Sequence, residues 1–152
     1  MSRFLEAPQE RVLLCDGGMG SRVQAIDLDV ETDYRGAENC TEVLNLSRPD
    51  LVLDIHKGYL AAGSDIVQTN SFGGSPITLA EFDLEDQAHD INRIAGELAR
   101  AAIDAMAEDG RERFAIGSIG PGTRLPSLGH IDYDSLEAAY HVQAVGLIAG
   151  NV

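Results

Sequence analysis

Asp65-Ile66-Val67-Gln68-Thr69-Asn70-Ser71-Phe72-Gly73-Gly74 decides the fold of this chain. An apolar, strand-forming run breaks into small polar residues and then into two glycines. Such a break places side chains and bare backbone at the C-terminal edge of a parallel sheet, where βα proteins build their sites. The form recurs upstream in Val12-Leu13-Leu14-Cys15-Asp16-Gly17-Gly18-Met19-Gly20 and downstream in Phe114-Ala115-Ile116-Gly117-Ser118-Ile119-Gly120-Pro121-Gly122.

Between these three breaks the periodicity is helical. Ser47-Arg48-Pro49-Asp50 predicts a helix start: Ser47 as the cap, Pro49 in the first turn, Asp50 at the positive end of the dipole. Leu51, Val52, Ile55, Tyr59 and Leu60 form its apolar face, and Gly63 stops it. A further helical pattern opens near Pro76. A longer one runs from Leu84 to Met106, with the stripe Leu84, Ala88, Ile91, Ala95, Leu98, Ala102, Met106 and Gly110 as its end. The last helix is predicted from Ser135, with Leu136, Ala139, Tyr140, Ala144, Leu147 and Ile148 inward. Strands are expected over 11–15, 65–69 and 114–119. The polar stretch 27–45 has no period and reads as a long loop with short helical pieces, and 120–131 reads as a second loop.

The order β, α, β, α, β, α, with a helix in every connection, predicts parallel strands and right-handed crossovers. Ala149-Gly150-Asn151-Val152 parallels Ala62-Gly63-Ser64-Asp65, so the sequence reads as stopping where a fourth strand begins. Two architectures fit: a small three-stranded open α/β sheet, or parallel βα units forming the first half of a TIM (β/α)8 barrel. Such a barrel typically needs about 250 residues. The expectation is one partial barrel domain over 1–152, with open sheet edges that favour self-association.

Composition narrows the function. Hydrophobic residues make up 44% of 152 and charged residues 24%, ordinary for a globular chain. A net charge of −14 supplies no basic stripe to displace phosphate counterions and disfavours both nucleic acid and anionic membrane surfaces. No stretch is long and apolar enough to span a bilayer, and Met1-Ser2-Arg3-Phe4-Leu5-Glu6 lacks the apolar core of a leader. Cys15 and Cys40 are too few for a disulfide framework, which predicts a reducing, cytoplasmic location. Neither a dinucleotide fingerprint nor a phosphate-binding Gly-x-x-x-x-Gly-Lys loop is present.

Three segments, taken in order and spacing, resemble the homocysteine S-methyltransferase family, which includes the homocysteine-binding module of cobalamin-dependent methionine synthase. They are Asp16-Gly17-Gly18-Met19-Gly20, Gly63 through Phe72, and Gly117-Ser118-Ile119-Gly120-Pro121, with Ser127 to Tyr140 following the same pattern. The resemblance covers nearly the whole chain. It implies a (β/α)8 barrel and a methyltransferase (EC 2.1.1 class) acting on the homocysteine thiol to form methionine. It also implies zinc, held by three cysteine thiolates, and methylcobalamin carried on a separate module or protein. The family's zinc cysteines belong to the second half of its barrel, beyond Val152, and neither Cys15 nor Cys40 matches one. The expectation is therefore no metal ligand in this chain and an incomplete, inactive half-barrel. Gln68 stands where many relatives carry Glu. Two alternatives accompany this reading: a non-catalytic half-barrel that acts by self- or partner association, and a corrinoid-linked methyltransferase with a different acceptor.

Each candidate substrate-binding residue has two readings. Asp16 can accept hydrogen bonds from the substrate ammonium, or cap its own turn. Gly17 and Gly18 let backbone N–H groups approach a carboxylate, or simply serve a tight turn. Thr69, Asn70 and Ser71 can orient substrate, or satisfy loop backbone. Phe72 can wall the pocket, or pack. Ser118, with Gly120 and Pro121, can join the site, or start a tight loop. Of the histidines, His56, His89 and His141 are expected to face solvent on helices, and His130 lies in a loop on the catalytic face.

Overall fold

The computed structural model describes residues 3–152; Met1 and Ser2, which open the stretch read above for a leader, lie outside the described residues. In chain order the helices are α1 (Ala7–Glu10), α2 (Met19–Val23), α3 (Leu44–Ser47), α4 (Pro49–Ala61), α5 (Pro76–Leu79), α6 (Ala88–Asp104) and α7 (Tyr133–Ala149). Strands β1 (Ile66–Gln68) and β2 (Phe114–Ile116) pair in parallel, with Ile66 opposite Phe114 and Gln68 opposite Ile116. The chain is thus a helix-rich α/β fold around a short parallel sheet.

The first predicted strand is reduced to one parallel bridge, Cys15 to Ile66. The cause is a side chain standing in for backbone. Leu14 N–H donates to Asp65 Oδ2 at 2.9 Å, while Leu14 O accepts from both Asp65 and Ile66. Pairing resumes at Asp16, whose N–H donates to Ile66 O at 2.9 Å. Residues 14–16, the first stave in chain order, still run beside β1.

Alternation along the strands assigns the two sheet faces. Val67 and Ala115 pack with Leu60 of α4 and with Ala99 and Ala102 of α6. Ile66 and Phe114 face the other way, onto Ala7 and, beside it, Phe4 and Leu13. The Phe4 and Phe114 rings meet edge-to-face at 5.4 Å. Below the sheet Asp65 is buried between Arg11 (2.8 Å) and Arg111 (2.9 Å). Burial works against its charge, but the Leu14 N–H and the two guanidinium groups together hold its carboxyl below the ordinary carboxylate range.

Several helix details differ from the sequence expectation. Ser47 does not cap α4. It is the last residue of α3, and its single O–H is shared between the carbonyls of Val43 and Asp33. Arg48 occupies the cap position without a side-chain cap bond and instead pairs with Asp33 and Asp50. The long helix begins at Ala88, after a 3₁₀ turn over Glu85–Gln87, and ends at Asp104. The last helix starts at Tyr133, since Asp132 is a better cap than any later residue: it accepts from Ser135 N–H at 2.8 Å. Ile148 is exposed, because Ala139, Gln143, Gly146 and Leu147 take the face turned to the core.

His56 corrects the expectation of a solvent-facing side chain: it is fully buried. Four residues separate it from both Val52 and Leu60, so it lies on the buried arc of α4. Neither ring nitrogen has a partner among the described residues, and burial pushes the imidazole down to about 4.

Among the described residues no helix is long and apolar enough to cross a membrane.

Candidate functional site

The three strand ends converge at the carboxyl edge of the sheet, over a cleft of about 470 Å³. All the residues nominated from the sequence line it: Asp16, Gly17 and Gly18 from the first stave, Thr69 through Phe72 after β1, and Ser118 after β2. Gln68, Met19, Gly20, Thr41 and Glu42 line it as well. His130 does not; its Nδ1 accepts from Leu125 N–H at 3.5 Å within its own loop.

Asp16 is half-buried at the end of the first stave. Its Oδ2 accepts from Gln68 N–H at 2.9 Å and its Oδ1 from Gln68 Nε2 at 3.1 Å. Burial raises its pKa, and the Gln68 hydrogen bonds only partly offset that. The amide at position 68 therefore orients the carboxylate without adding a second charge beside it.

Gly17 and Gly18 pass over Tyr59 of α4. A Cβ at Gly17 would lie 2.9 Å from the Tyr59 hydroxyl oxygen, and that hydroxyl donates to Gly18 O at 3.1 Å. A side chain at Gly17 would have to push the Tyr59 ring aside, and glycine leaves the backbone bare toward the cleft.

Thr69, Ser71 and Ser118 are welded to one another. Thr69 Oγ1 lies 2.6 Å from Ser71 Oγ and accepts from Ser118 N–H at 2.9 Å, while Ser71 Oγ donates to Ser118 O at 2.8 Å. Asn70 Nδ2 donates to Thr41 O at 2.7 Å and to Asn45 Oδ1 at 3.1 Å. These side chains line the cleft with their hydrogen-bonding groups engaged in joining the strand ends. Phe72 stands exposed at the rim.

Glu42 is the residue that sequence reasoning missed. It is buried, and its Oε1 accepts from Gly73 N–H at 2.6 Å. It belongs to the aperiodic stretch 27–45, where the only cue is an acidic residue set against the apolar Val43-Leu44. Glu42 and Asp16 are the charged side chains of the lining, and among the described residues no Lys, Arg or His faces the cleft.

The cysteines do not make a zinc site. Cys15 is exposed beside Asp16, at 3.8 Å from its Oδ1, whereas Cys40 is buried away from solvent. Burial, reinforced by Glu42, pushes the Cys40 thiol up to about 11, so it stays protonated. Among the described residues no three His, Cys, Asp or Glu side chains gather as a metal-binding group. The donor set does not fit zinc.

The family model for homocysteine S-methyltransferase matches residues 13–152. Over 147 residues the chain is 40% identical to methionine synthase of Mycobacterium tuberculosis and 39% identical to that of Mycobacterium leprae, covering 97% of this chain in each case. It spans only 12% of the length of either relative. Its fold superposes with a TM-score of 0.77 on the crystal structure of the homocysteine methyltransferase MmuM from Escherichia coli, metallated form, at 19% identity, covering 99% of this chain and 55% of that one.

Proposed function

The chain belongs to the homocysteine S-methyltransferase family, and we propose that its cleft holds the amino-acid end of homocysteine for methyl transfer to the thiol. One observation carries this reading: a cleft lined by two carboxylates and by the glycine backbone that follows Asp16, with no cation among the described lining residues. Asp16 is the acceptor for the substrate ammonium, and the N–H groups of the Gly17–Gly20 segment are the donors for the substrate carboxylate. Phe72 closes the rim. The charge balance favours a cationic group and disfavours a simple carboxylic acid.

Methyl transfer further requires the substrate sulfur as a thiolate. Cys15 and Cys40 do not match a zinc ligand set, so the role assigned to the residues of this chain is substrate binding, and no chemical step is routed through a metal. Methylcobalamin belongs to the proposal through the family, as a methyl donor on a cobalamin-binding module or protein. The extended segment, β1 and β2 are proposed as consecutive staves of a (β/α)8 barrel; what supports this is their parallel order and the exposure of Val12 and Leu14 along the outer stave. We propose a cytoplasmic location, since both cysteines are free thiols.

Calorimetric titration tests the binding role. L-homocysteine should bind, and N-acetyl-homocysteine, which lacks the ammonium, should bind at least tenfold more weakly. Equal affinity for the two would remove Asp16 from the proposed role, and no binding of homocysteine would remove the reading itself.

A further inference from the structure

The turn that carries Phe72 is held by more than its own backbone. From Asn70 to Gly74, five successive residues each give one main-chain group to a partner outside the turn. Asn70 O accepts from Asn45 Nδ2 at 2.8 Å. Ser71 O accepts from Gln143 Nε2 at 2.7 Å. Phe72 O accepts from Gly120 N–H at 2.9 Å. Gly73 N–H donates to Glu42 Oε1 at 2.6 Å, and Gly74 O accepts from Asn92 Nδ2 at 2.7 Å.

The four side chains come from four different places: Glu42 from the 3₁₀ turn before α3, Asn45 from α3, Asn92 from α6 and Gln143 from α7. All four are buried, and Asn92 and Gln143 are fully so. Two of them hold the turn while leaving a polar atom unsatisfied. Asn92 Oδ1 and Gln143 Oε1 are buried with no partner among the described residues. An apolar side chain would fill either position without that cost, and buried orphan acceptors are uncommon. Space is equally committed: a Cβ at Gly74 would lie 2.6 Å from Asn92 Oδ1 and 3.0 Å from Ser71 O.

We infer that Glu42, Asn45, Asn92 and Gln143 are positioning residues that lock the 70–74 turn in its ligand-binding shape before any ligand arrives. They act through the turn's main chain. The turn offers the ligand a fixed rim, and binding does not have to order it. This rests on the reading of the cleft as the homocysteine site, and it deepens that reading by naming what sets the geometry of one wall.

Amide hydrogen exchange of the full chain, followed by NMR, tests the lock without requiring a ligand. In the wild type the Gly73 and Gly74 amides should exchange as slowly as the core of α6. Glu42→Leu removes the acceptor and should speed Gly73 exchange at least tenfold relative to the α4 and α6 amides. Glu42→Gln keeps an acceptor oxygen and should restore protection, which a requirement for bulk alone would not predict. Gln143→Met, which keeps length and loses the donor, should speed exchange at Gly74, whose N–H shares the Ser71 carbonyl. It serves as the second variant if Glu42→Leu fails to fold. Loop-like exchange at Gly73 and Gly74 in the wild type, or exchange unchanged in Glu42→Leu and Gln143→Met, overturns the inference. Homocysteine titration of the same proteins separates the two claims. If the wild type binds and Gln143→Met, whose side chain holds Ser71 O without lining the cleft, binds at least tenfold more weakly, the lock serves the site; equal binding by both overturns the positioning role. If the wild type does not bind, the functional reading falls, and exchange alone decides the lock.

Discussion

At the scale of single residues, Asp16 shows stability and function pulling apart. Its folded pKa is raised, chiefly by burial, so the fold holds the proton more tightly than the unfolded chain does. The stability it contributes is present below the unfolded value and is lost as pH rises through the folded one. At pH 7 the ionised carboxylate therefore costs stability. Asp16→Asn removes that charge and keeps an acceptor for Gln68 N–H, so its melting temperature at pH 7 should rise. Its homocysteine affinity should fall by roughly ten- to a hundredfold, the loss of a charge-assisted hydrogen bond worth about 1.5–3 kcal/mol. Differential scanning fluorimetry and calorimetric titration of the same preparation measure both. A lower melting temperature would mean that the carboxylate is a structural cap. Asp16 and its glycines were legible in the sequence because a strand end followed by glycines has one place to go in a parallel sheet, the carboxyl edge. The division of labour was not legible. That Thr69, Asn70 and Ser71 spend their polar groups inside the fold depends on Ser118 and Asn45, which only folding brings beside them. Glu42 was hidden for the same reason: its partner is the Gly73 N–H, a group with no trace in residue type.

At the scale of elements, α6 and α7 cross with backbones nearly in contact. A Cβ on Gly146 would lie 2.6 Å from His89 O and 2.9 Å from Asn92 Cβ, and both neighbours are fixed in α6. Gly146→Ala should therefore destabilise by about 1–3 kcal/mol, the usual cost of overpacking. Because Asn92 is displaced with it, the 70–74 turn should loosen too. Gly58 is the counter-case. It lies inside α4, and a Cβ there would meet nothing within 4 Å, so Gly58→Ala should stabilise by about 0.5–1 kcal/mol through helix propensity alone. Urea denaturation at pH 7 measures both, and equal effects would mean that the seam yields. The helices were largely legible because a stripe such as Ala88, Ile91, Ala95 and Ala102 records which side is buried, and each of those is fully buried. The first stave was not, because its ladder is replaced by the Asp65 carboxylate. Helix starts were misplaced where two capping residues compete, as Asp132 does with Ser135, and composition does not rank them.

At the scale of the molecule, acid should unfold this protein through a group that periodicity concealed. A net charge of −14 means that mild acid first relieves self-repulsion, which favours the compact state. His56 works in the opposite direction. Its folded pKa is depressed from 6.5 to about 4 by burial, and neither nitrogen has a hydrogen-bond partner among the described residues. The stability tied to the neutral imidazole is present above 6.5 and is lost as pH falls toward 4, because the unfolded chain takes up a proton that the fold refuses. The gap of about 2.5 pKa units corresponds to about 3 kcal/mol at most. Asp65, held below the ordinary carboxylate range, loses its own contribution at still lower pH, so the two transitions separate. His56→Leu fills the same buried position on the arc between Val52 and Leu60 and cannot titrate. Its unfolding free energy from urea denaturation, taken relative to the wild type, should rise by up to about 3 kcal/mol as pH falls from 6.5 to 4. Taking the difference between the two proteins at each pH cancels the general charge effect, which they share. Parallel curves would place the acid sensitivity elsewhere and would mean that His56 finds a proton-bearing partner in solution.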